Sequence, residues 1–330
     1  MTTEWRYADQ ILRIDLTHRT AQVLPTDLEL KRKYVGGAGF VARLLTGDEA
    51  RPGDVALAGG PLSDGVAGRL ALGARLGGRI ACSSLGGRLA AALKEAGYDA
   101  LVLTGELDRP GCLVIAQDDV RIEDAGALWG LEVPEAESRL AGEGFSSLVL
   151  GPAAENQVPF ATLAHEGHHA GGSGVAAALG AKRIKAVLLP SPAHVPSRCE
   201  GCTLKCSGLG SKSQVDRAGA LGLDAPTAAR LAALAEGCAR AGLLPSGEAD
   251  PLAAIAYRQG IGALLAGGEA DALSRLGPAA ERIAAELPPP KRRGGLGLAD
   301  LLGTCQRVFR DRPGELLRTA LNSTQGLLTT

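Results

Sequence analysis

The chain has 330 residues, 45% of them hydrophobic, which is enough for two globular domains with separate cores. Its 35 basic and 36 acidic residues leave a formal net charge of −1, so no overall field favours nucleic acid or an anionic membrane. The first residues lack a charged-then-apolar signal pattern, and no apolar run reaches the roughly 18 residues of a membrane span, so we expect a cytoplasmic protein.

The first part of the chain carries mostly strand patterns. Alternating apolar residues at 11–16, a turn, and residues 20–24 predict an opening hairpin. Helical character from Leu28 to Leu45 is interrupted by glycines at 36, 37 and 39, which predict a break between two helices. A helix is predicted after Gly87, with Gly97 as its C-terminal cap. Further strands are predicted at 55–58, 68–75, 79–82, 100–104, 113–116, 120–122, 147–150, 161–163 and 184–189.

Strand patterns are nearly absent beyond residue 192. Apolar residues at helical spacing predict helices at 226–241, 251–266 and 270–287, the last with a break near residues 277 and 278. The sequence therefore predicts an α+β fold, in which a β-rich domain of residues 1–192 precedes an α-helical domain of residues 193–330.

A cysteine-rich run lies at the junction of the two predicted domains. Cys199, Cys202 and Cys206 form a C-x2-C-x3-C pattern, and Cys305 is a distant fourth thiol. Four thiolates suit a [4Fe-4S] cubane and equally a tetrahedral zinc site, so the ligand set leaves both metals open, beside unliganded cysteines. The odd total of seven cysteines fits a reducing compartment better than a disulfide framework.

Residues 165–169, His-Glu-Gly-His-His, satisfy the H-E-x-x-H pattern of zinc metalloproteases. Such a site requires a regular helix that presents both histidines on one face. Gly167 lies inside the motif, a glycine-rich stretch follows it, and residues 160–163 before it have a strand pattern. The sequence therefore favours a polar turn that lines a cofactor cleft or the solvent.

Short motifs follow one another along nearly the whole chain. They lie at residues 11–17, 36–39, 60–63, 93–99, 151–156, 180–186, 199–206, 221–224, 255–262 and 300–305. In this order they resemble the aldehyde:ferredoxin oxidoreductase family, whose members carry a tungsten or molybdenum pterin beside a [4Fe-4S] cluster. Each motif is short, and the ordered set is what makes the resemblance specific. It implies a β-rich N-terminal domain of that family's type, followed by a helical domain.

The resemblance also implies a function and a set of site residues. The expected enzyme oxidises an aldehyde or oxo group at the pterin and passes electrons through the cluster to ferredoxin or a similar carrier. The implied cluster ligands are Cys199, Cys202, Cys206 and Cys305. The implied cofactor-binding residues are Arg69, Ser84, Gly86, Gly87, Glu155, Asn156, Gly222, Leu223, Asp224, Asp300 and Gly303.

The chemistry of these residue types agrees with the implied roles. Arg69 matches the family's arginine between cluster and pterin, where a permanently charged fork bridges two anionic groups. Ser84 to Gly87 resemble its loop for the pterin phosphates and magnesium. Carboxylates such as Asp224 accept hydrogen bonds from pterin N–H groups, and glycine lets a flat ring approach the backbone.

The sequence departs from the family pattern at several positions. Ser84 replaces the usual asparagine, Ser173 stands where an arginine is common, and Gly219 stands where D-x-x-G-L-D has its first carboxylate. Residues 288–299 stand where typical members have a long helical region with pocket walls and an acid/base histidine, so no catalytic residue is assigned. The alternative hypothesis is a non-catalytic iron–sulfur subunit, completed by a partner subunit or a second copy of the chain. A zinc-stapled binding protein is the third.

Overall fold

A computed structural model of the chain describes residues 7–63, 68–117, 119–142, 144–192, 212–245 and 249–288. The predicted cluster ligands Cys199, Cys202, Cys206 and Cys305, together with Asp300 and Gly303, lie outside these ranges. Every helix within the described ranges is too short or too polar to span a bilayer.

The described ranges contain twelve strands, all before residue 192, and twelve helices, of which the last six follow one another. The strands are β1 (Gln10–Asp15), β2 (Thr20–Pro25), β3 (Val55–Ala58), β4 (Gly68–Leu76), β5 (Arg79–Gly87), β6 (Ala100–Thr104), β7 (Gly111–Ile115), β8 (Val120–Asp124), β9 (Phe145–Leu150), β10 (Thr162–His165), β11 (His168–Gly171) and β12 (Ile184–Pro190). The helices are α1 (Leu28–Tyr34), α2 (Ala38–Thr46), α3 (Leu89–Glu95), α4 (Val133–Leu140), α5 (Pro152–Glu155), α6 (Val175–Ala181), α7 (Lys212–Leu221), α8 (Ala225–Arg240), α9 (Pro251–Tyr257), α10 (Gly262–Leu265), α11 (Glu269–Leu276) and α12 (Pro278–Glu286).

The strands form two six-stranded sheets within the described ranges. The first has the order β2-β1-β6-β3-β4-β5, and the second has the order β11-β10-β9-β12-β7-β8. Each sheet contains one parallel pair, β1 with β6 in the first and β12 with β7 in the second, among antiparallel neighbours. Parallel neighbours need a long crossover connection, and here these connections contain helices. Two mainly antiparallel sheets combined with helices confirm the predicted α+β class.

The main core lies between the two sheets. Helix α3 contacts β4 of the first sheet and both β9 and β12 of the second. Its residues 89–93 are all buried, which is typical of a helix enclosed on every side. Helix α6 likewise contacts strands of both sheets. The glycine-rich end of β5 and the β10–β11 hairpin are adjacent, so residues from the two sheets meet there.

The later helices pack on the same core. Leu221, Leu231 and Ile255 belong to one apolar cluster with residues of the second sheet such as Leu150 and Leu163. The described helices beyond residue 212 therefore share buried surface with the β-rich part. The proposed domain boundary at residue 192 stays a prediction.

The predicted single helix at 251–266 is wrong, because the chain forms α9 and α10 with a turn between them. Arg258 takes a left-handed conformation, with φ of 52°. Its guanidinium donates to the backbone carbonyls of Asn156 at 2.7 Å and Gln157 at 3.0 Å. Gly260 lies in the same turn with φ of 51°, so a glycine and these tertiary contacts together end the helix.

Most other predicted elements are confirmed. The opening hairpin is present as β1 and β2, the glycine break separates α1 from α2, and a second break separates α11 from α12. Strand β5 continues to Gly87, although its prediction ended at residue 82.

Candidate functional site

The glycine-rich end of the β4–β5 pair forms the first wall of the candidate site. Arg69 pairs with Gly86, and Gly68 pairs with Gly87, in a regular antiparallel ladder. Residues 84–87 are therefore strand rather than the loop that the resemblance implied. The Arg69 guanidinium donates from Nε to Oγ of Ser84 at 3.0 Å and from Nη2 to its carbonyl at 3.1 Å. Ser84 thus fixes the direction of the Arg69 guanidinium.

The H-E-x-x-H residues form a β-hairpin, which we call the histidine hairpin (β10, β11 and their turn). His165 pairs with His168, and the turn residues Glu166 and Gly167 have φ of 47° and 76°. Positive φ at both central residues is typical of a two-residue type I′ turn. The motif is not helical, so the metalloprotease interpretation is excluded and the predicted polar turn is confirmed. The described residues contain no group of three His, Cys, Asp or Glu side chains that could hold a metal.

The histidine hairpin packs directly on the glycines of β5. Gly87 has φ of 107°, and a Cβ built there would lie 2.6 Å from Cδ2 and 3.0 Å from Nε2 of His165. A Cβ at Gly86 would lie 3.8 Å from Nδ1 of His168. Glycine at position 87 is therefore required both by the backbone conformation and by the imidazole beside it.

Buried polar groups of the histidine hairpin have unfilled hydrogen-bonding capacity. His165 is fully buried, and its Nδ1 lies 2.9 Å from the Ser147 carbonyl, so Nδ1 carries the proton. Arg88 donates to Oε1 of Glu166 from Nε at 2.8 Å and from Nη2 at 2.5 Å. Nε2 of His165 and Oε2 of Glu166, 3.5 Å apart, have no hydrogen-bond partner among the described residues. Buried polar atoms of this kind indicate a water or a bound group.

The buried imidazole predicts a pH-dependent stability. Desolvation by burial lowers the pKa of His165 to about 4, from an ordinary value of 6.5. The unfolded chain therefore binds a proton below pH 6.5 that the folded chain does not bind, and stability falls as the pH drops from 6.5 towards 4. The difference between the two pKa values corresponds to about 3 kcal/mol of unfolding free energy over this pH range. Urea unfolding at pH 7, 6, 5 and 4.5 measures it.

The variant His165→Asn is the control for this pH dependence. Asparagine can still donate to the Ser147 carbonyl but takes up no proton. We expect the loss of stability between pH 6.5 and 4.5 to become clearly smaller in the variant. A pH profile that matches the wild type would contradict the assignment to His165.

The turn between α7 and α8 forms the second wall. Gly222 has φ of 71°, and a Cβ there would lie 3.0 Å from Cα of Gly151. Leu223 is buried, and Asp224 caps α8 by accepting from the Thr227 amide at 3.2 Å and from its hydroxyl at 2.5 Å. The glycine and the carboxylate of the predicted G-L-D motif thus also have local structural roles.

The histidine hairpin also contacts this second wall. A Cβ at Gly219 would lie 3.0 Å from Nε2 of His169, and a Cβ at Gly172 would lie 3.3 Å from Cγ of Asp224. Ser173 follows, with a buried Oγ that has no partner among the residues described. Within the hairpin, the Thr162 amide donates to the Gly222 carbonyl at 2.7 Å. The histidine hairpin therefore lies between two sets of predicted site residues, with Gly86 and Gly87 on one side and Gly222 on the other.

Glu155 and Asn156 have internal partners. The Glu155 carboxylate pairs with Lys185, and its Oε2 accepts from the Gly130 amide at 2.6 Å. Burial raises the pKa of Glu155 and lowers that of Lys185. Nδ2 of Asn156 donates to the Pro152 carbonyl at 2.9 Å. A cofactor role for either residue stays a prediction.

Sequence reasoning did not identify Arg88 or Lys185. Arg88 is separated from Glu166 by 78 residues, and Lys185 from Glu155 by 30. The H-E-x-x-H pattern drew attention to the hairpin, but nothing in the sequence indicates that it faces the glycines of β5.

Comparisons with known proteins agree with this architecture. The profile of the aldehyde ferredoxin oxidoreductase N-terminal domain matches residues 11–191. The tungsten-containing aldehyde ferredoxin oxidoreductase of Pyrococcus furiosus is 34% identical over 204 residues, which are 57% of this chain and 34% of that protein. Its namesake from Thermococcus kodakarensis is 33% identical over 204 residues, again 57% of this chain and 34% of that protein. The chain thus spans about a third of the length of these relatives.

A solved structure shares the fold. The active site complex BamBC of benzoyl coenzyme A reductase, in complex with 1,5-dienoyl-CoA, superposes with a TM-score of 0.72 at 21% identity, covering 84% of this chain and 64% of that one. Because the domain profile covers more than half of the residues and several relatives exceed 30% identity, this chain belongs to the aldehyde ferredoxin oxidoreductase family.

Proposed function

We propose that this chain is an oxidoreductase subunit of the aldehyde ferredoxin oxidoreductase type. It would hold a tungsten or molybdenum pterin against the histidine hairpin and a [4Fe-4S] cluster on Cys199, Cys202, Cys206 and Cys305. The observation that carries the proposal is that one hairpin contacts both predicted sets of pterin-binding residues, through His165 at Gly87 and through the Thr162 amide, which donates to the Gly222 carbonyl at 2.7 Å. Both relatives are named as tungsten-containing, which favours tungsten over molybdenum as the metal of the pterin.

The described residues fit a pterin chemically. Arg69 supplies a charged fork of the kind that binds phosphate, and Ser84 fixes its direction. The Ser173 hydroxyl is buried without a partner in the described part of the chain and can bind a polar group. Asp224 supplies a carboxylate that accepts from N–H groups, at the edge next to Gly172. The donor set therefore matches an anionic, flat ligand with ring N–H groups.

Each residue would contribute binding and orientation rather than proton transfer. When bound, the metal pterin supplies two-electron oxidation, and the cluster carries single electrons away. Arg69 would neutralise negative charge between the two cofactors. His165 is uncharged at pH 7, since burial lowers its pKa to about 4, so it adds no repulsive charge beside the arginines.

Metal analysis of anaerobically purified protein tests this proposal. We expect tungsten or molybdenum with about four irons per chain. Zinc without iron would contradict it and would favour the zinc-stapled alternative.

Removal of the guanidinium should weaken pterin retention. Loss of a charge-assisted hydrogen bond typically costs about 1.5–3 kcal/mol, so Arg69→Ala is expected to lower pterin retention roughly 10- to 100-fold. Arg121→Ala, on the exposed strand β8, is the matched control, since it removes only surface ion pairs. Pterin content is measured by fluorescence after acid release. Equal pterin content in the two variants would show that Arg69 does not bind the pterin.

The second candidate function is a non-catalytic iron–sulfur subunit. Gly219 and Ser173, which lack the expected charged side chains, favour it. A relative 26% identical over 222 residues is named as the WOR-like subunit of an aliphatic sulfonate oxidoreductase, so subunit organisation occurs among the relatives. Iron and sulfide without pterin would select this function. In both cases residues 193–330 would form the helical domain that carries the cluster, with ferredoxin or a similar carrier as electron acceptor.

A further inference from the structure

The space beside Gly219 is occupied by a side chain of the histidine hairpin. Aspartate would be expected at 219 from the D-x-x-G-L-D pattern, but the chain has no side chain there. A Cβ at Gly219 would lie 3.0 Å from Nε2 and 3.1 Å from Cε1 of His169. Contacts below 3.4 Å are tighter than most real Cβ contacts, so an aspartate at 219 and the imidazole would compete for one space.

The imidazole of His169 is accessible and uncharged. Its side chain is exposed, yet desolvation by the surrounding protein and the nearby His168 lower its pKa below the ordinary 6.5. A neutral imidazole offers one N–H donor and one nitrogen acceptor, and the acceptor nitrogen can replace a carboxylate oxygen towards a ring N–H.

His169 also lies in the stretch of chain that contacts the other end of this motif. Three residues further along the chain, Gly172 contacts Asp224, the second carboxylate of the same pattern. The Ser173 hydroxyl follows, and it has no hydrogen-bond partner in the described ranges. The two ends of the 219–224 segment therefore face one stretch of chain, residues 169–173. A ligand that contacts Asp224 has His169 in the place where the pattern expects its first carboxylate.

We propose that His169 binds the pterin in place of the carboxylate that is absent at position 219. His169 and Gly219 form a reciprocal pair, in which the histidine fills the space and supplies the hydrogen bond, and the glycine makes room for it. This inference rests on the proposed function and names a ligand residue from the second sheet. The ligand class is a pterin or a similar flat heterocycle with ring N–H groups.

Four variants of the full chain, purified anaerobically with their cofactors, test the proposal. His169→Ala and His169→Phe remove the hydrogen bond, and the second keeps an aromatic ring in place. Gly219→Asp adds the carboxylate against the imidazole, and His169→Ala/Gly219→Asp exchanges one side chain for the other. The readouts are pterin per chain, by fluorescence after acid release, and the thermal unfolding midpoint. His18→Ala, in the exposed β1–β2 turn, is the control.

We expect both single His169 variants to retain about ten-fold less pterin, at an unfolding midpoint close to that of the control. The double variant should recover most of the wild-type pterin, and Gly219→Asp alone should lose both pterin and stability. Wild-type pterin content in His169→Ala and His169→Phe would overturn the inference and leave the proposed function intact. A wild-type chain with iron but no pterin would overturn the inference together with the proposed enzyme function.

Discussion

Replacing Lys185 with methionine is expected to lower the free energy of unfolding by about 3–5 kcal/mol, because it leaves a buried carboxylate without its counter-charge. The Lys185 side chain is fully buried and that of Glu155 is 2% exposed. Lys185 also donates to the Leu131 carbonyl at 2.9 Å, so its removal leaves a second acceptor unpaired. Equilibrium urea unfolding at pH 7 measures the loss.

Two controls separate the burial of charge from other effects of the substitution. In Lys185→Met/Glu155→Gln both charges are gone, and the glutamine still accepts from the Gly130 amide, so most of the lost stability should return. Lys33→Met breaks an exposed pair with Glu29 and should leave the stability close to that of the wild type. A Lys185→Met variant as stable as Lys33→Met would contradict the importance of the buried pair.

The single variant Glu155→Gln examines the predicted cofactor role of Glu155. If Glu155→Gln unfolds more easily but retains wild-type pterin, its role is structural. If its pterin content falls while the fold persists, the role implied by the family resemblance is supported.

Gly180→Ala is expected to destabilise the chain by at least about 3 kcal/mol, although alanine normally stabilises a helix by about 1 kcal/mol relative to glycine. Gly180 is buried in α6, and a Cβ there would overlap the carbonyl oxygen of Ala154. The opposing atoms are backbone of α5, so no side-chain rotation relieves the overlap. Urea unfolding and soluble yield measure the effect.

The matched control is Gly78→Ala. Gly78 lies in the exposed β4–β5 turn, and a Cβ there would meet no described atom within 4 Å. We expect a change of less than about 0.5 kcal/mol. Equal stability of Gly180→Ala and Gly78→Ala would show that α5 and α6 can separate without cost.

Much of the fold followed from local pattern. The opening hairpin, the break between α1 and α2, and most strands were predictable because alternation and glycine position record which residues are buried and where the backbone turns. The single helix predicted at 251–266 failed because the chain turns at Arg258 and Gly260, where Arg258 finds carbonyl partners in a segment about 100 residues away. Local propensity carries no information about such partners.

The candidate site was predictable in its parts but not in its assembly. Motif order proposed Arg69 and Asp224 as candidate site residues, which stays a prediction, and the glycine inside H-E-x-x-H argued correctly against a helix. His165 contacts Gly87, and His169 contacts Gly219. Each contact joins segments that are distant in sequence. Sequence by itself therefore determined the strands, the breaks and the family resemblance, since these depend on neighbours along the chain. Only the tertiary structure decided which residues of these segments meet, since close packing of β5 and of α7 against the histidine hairpin fixes those contacts.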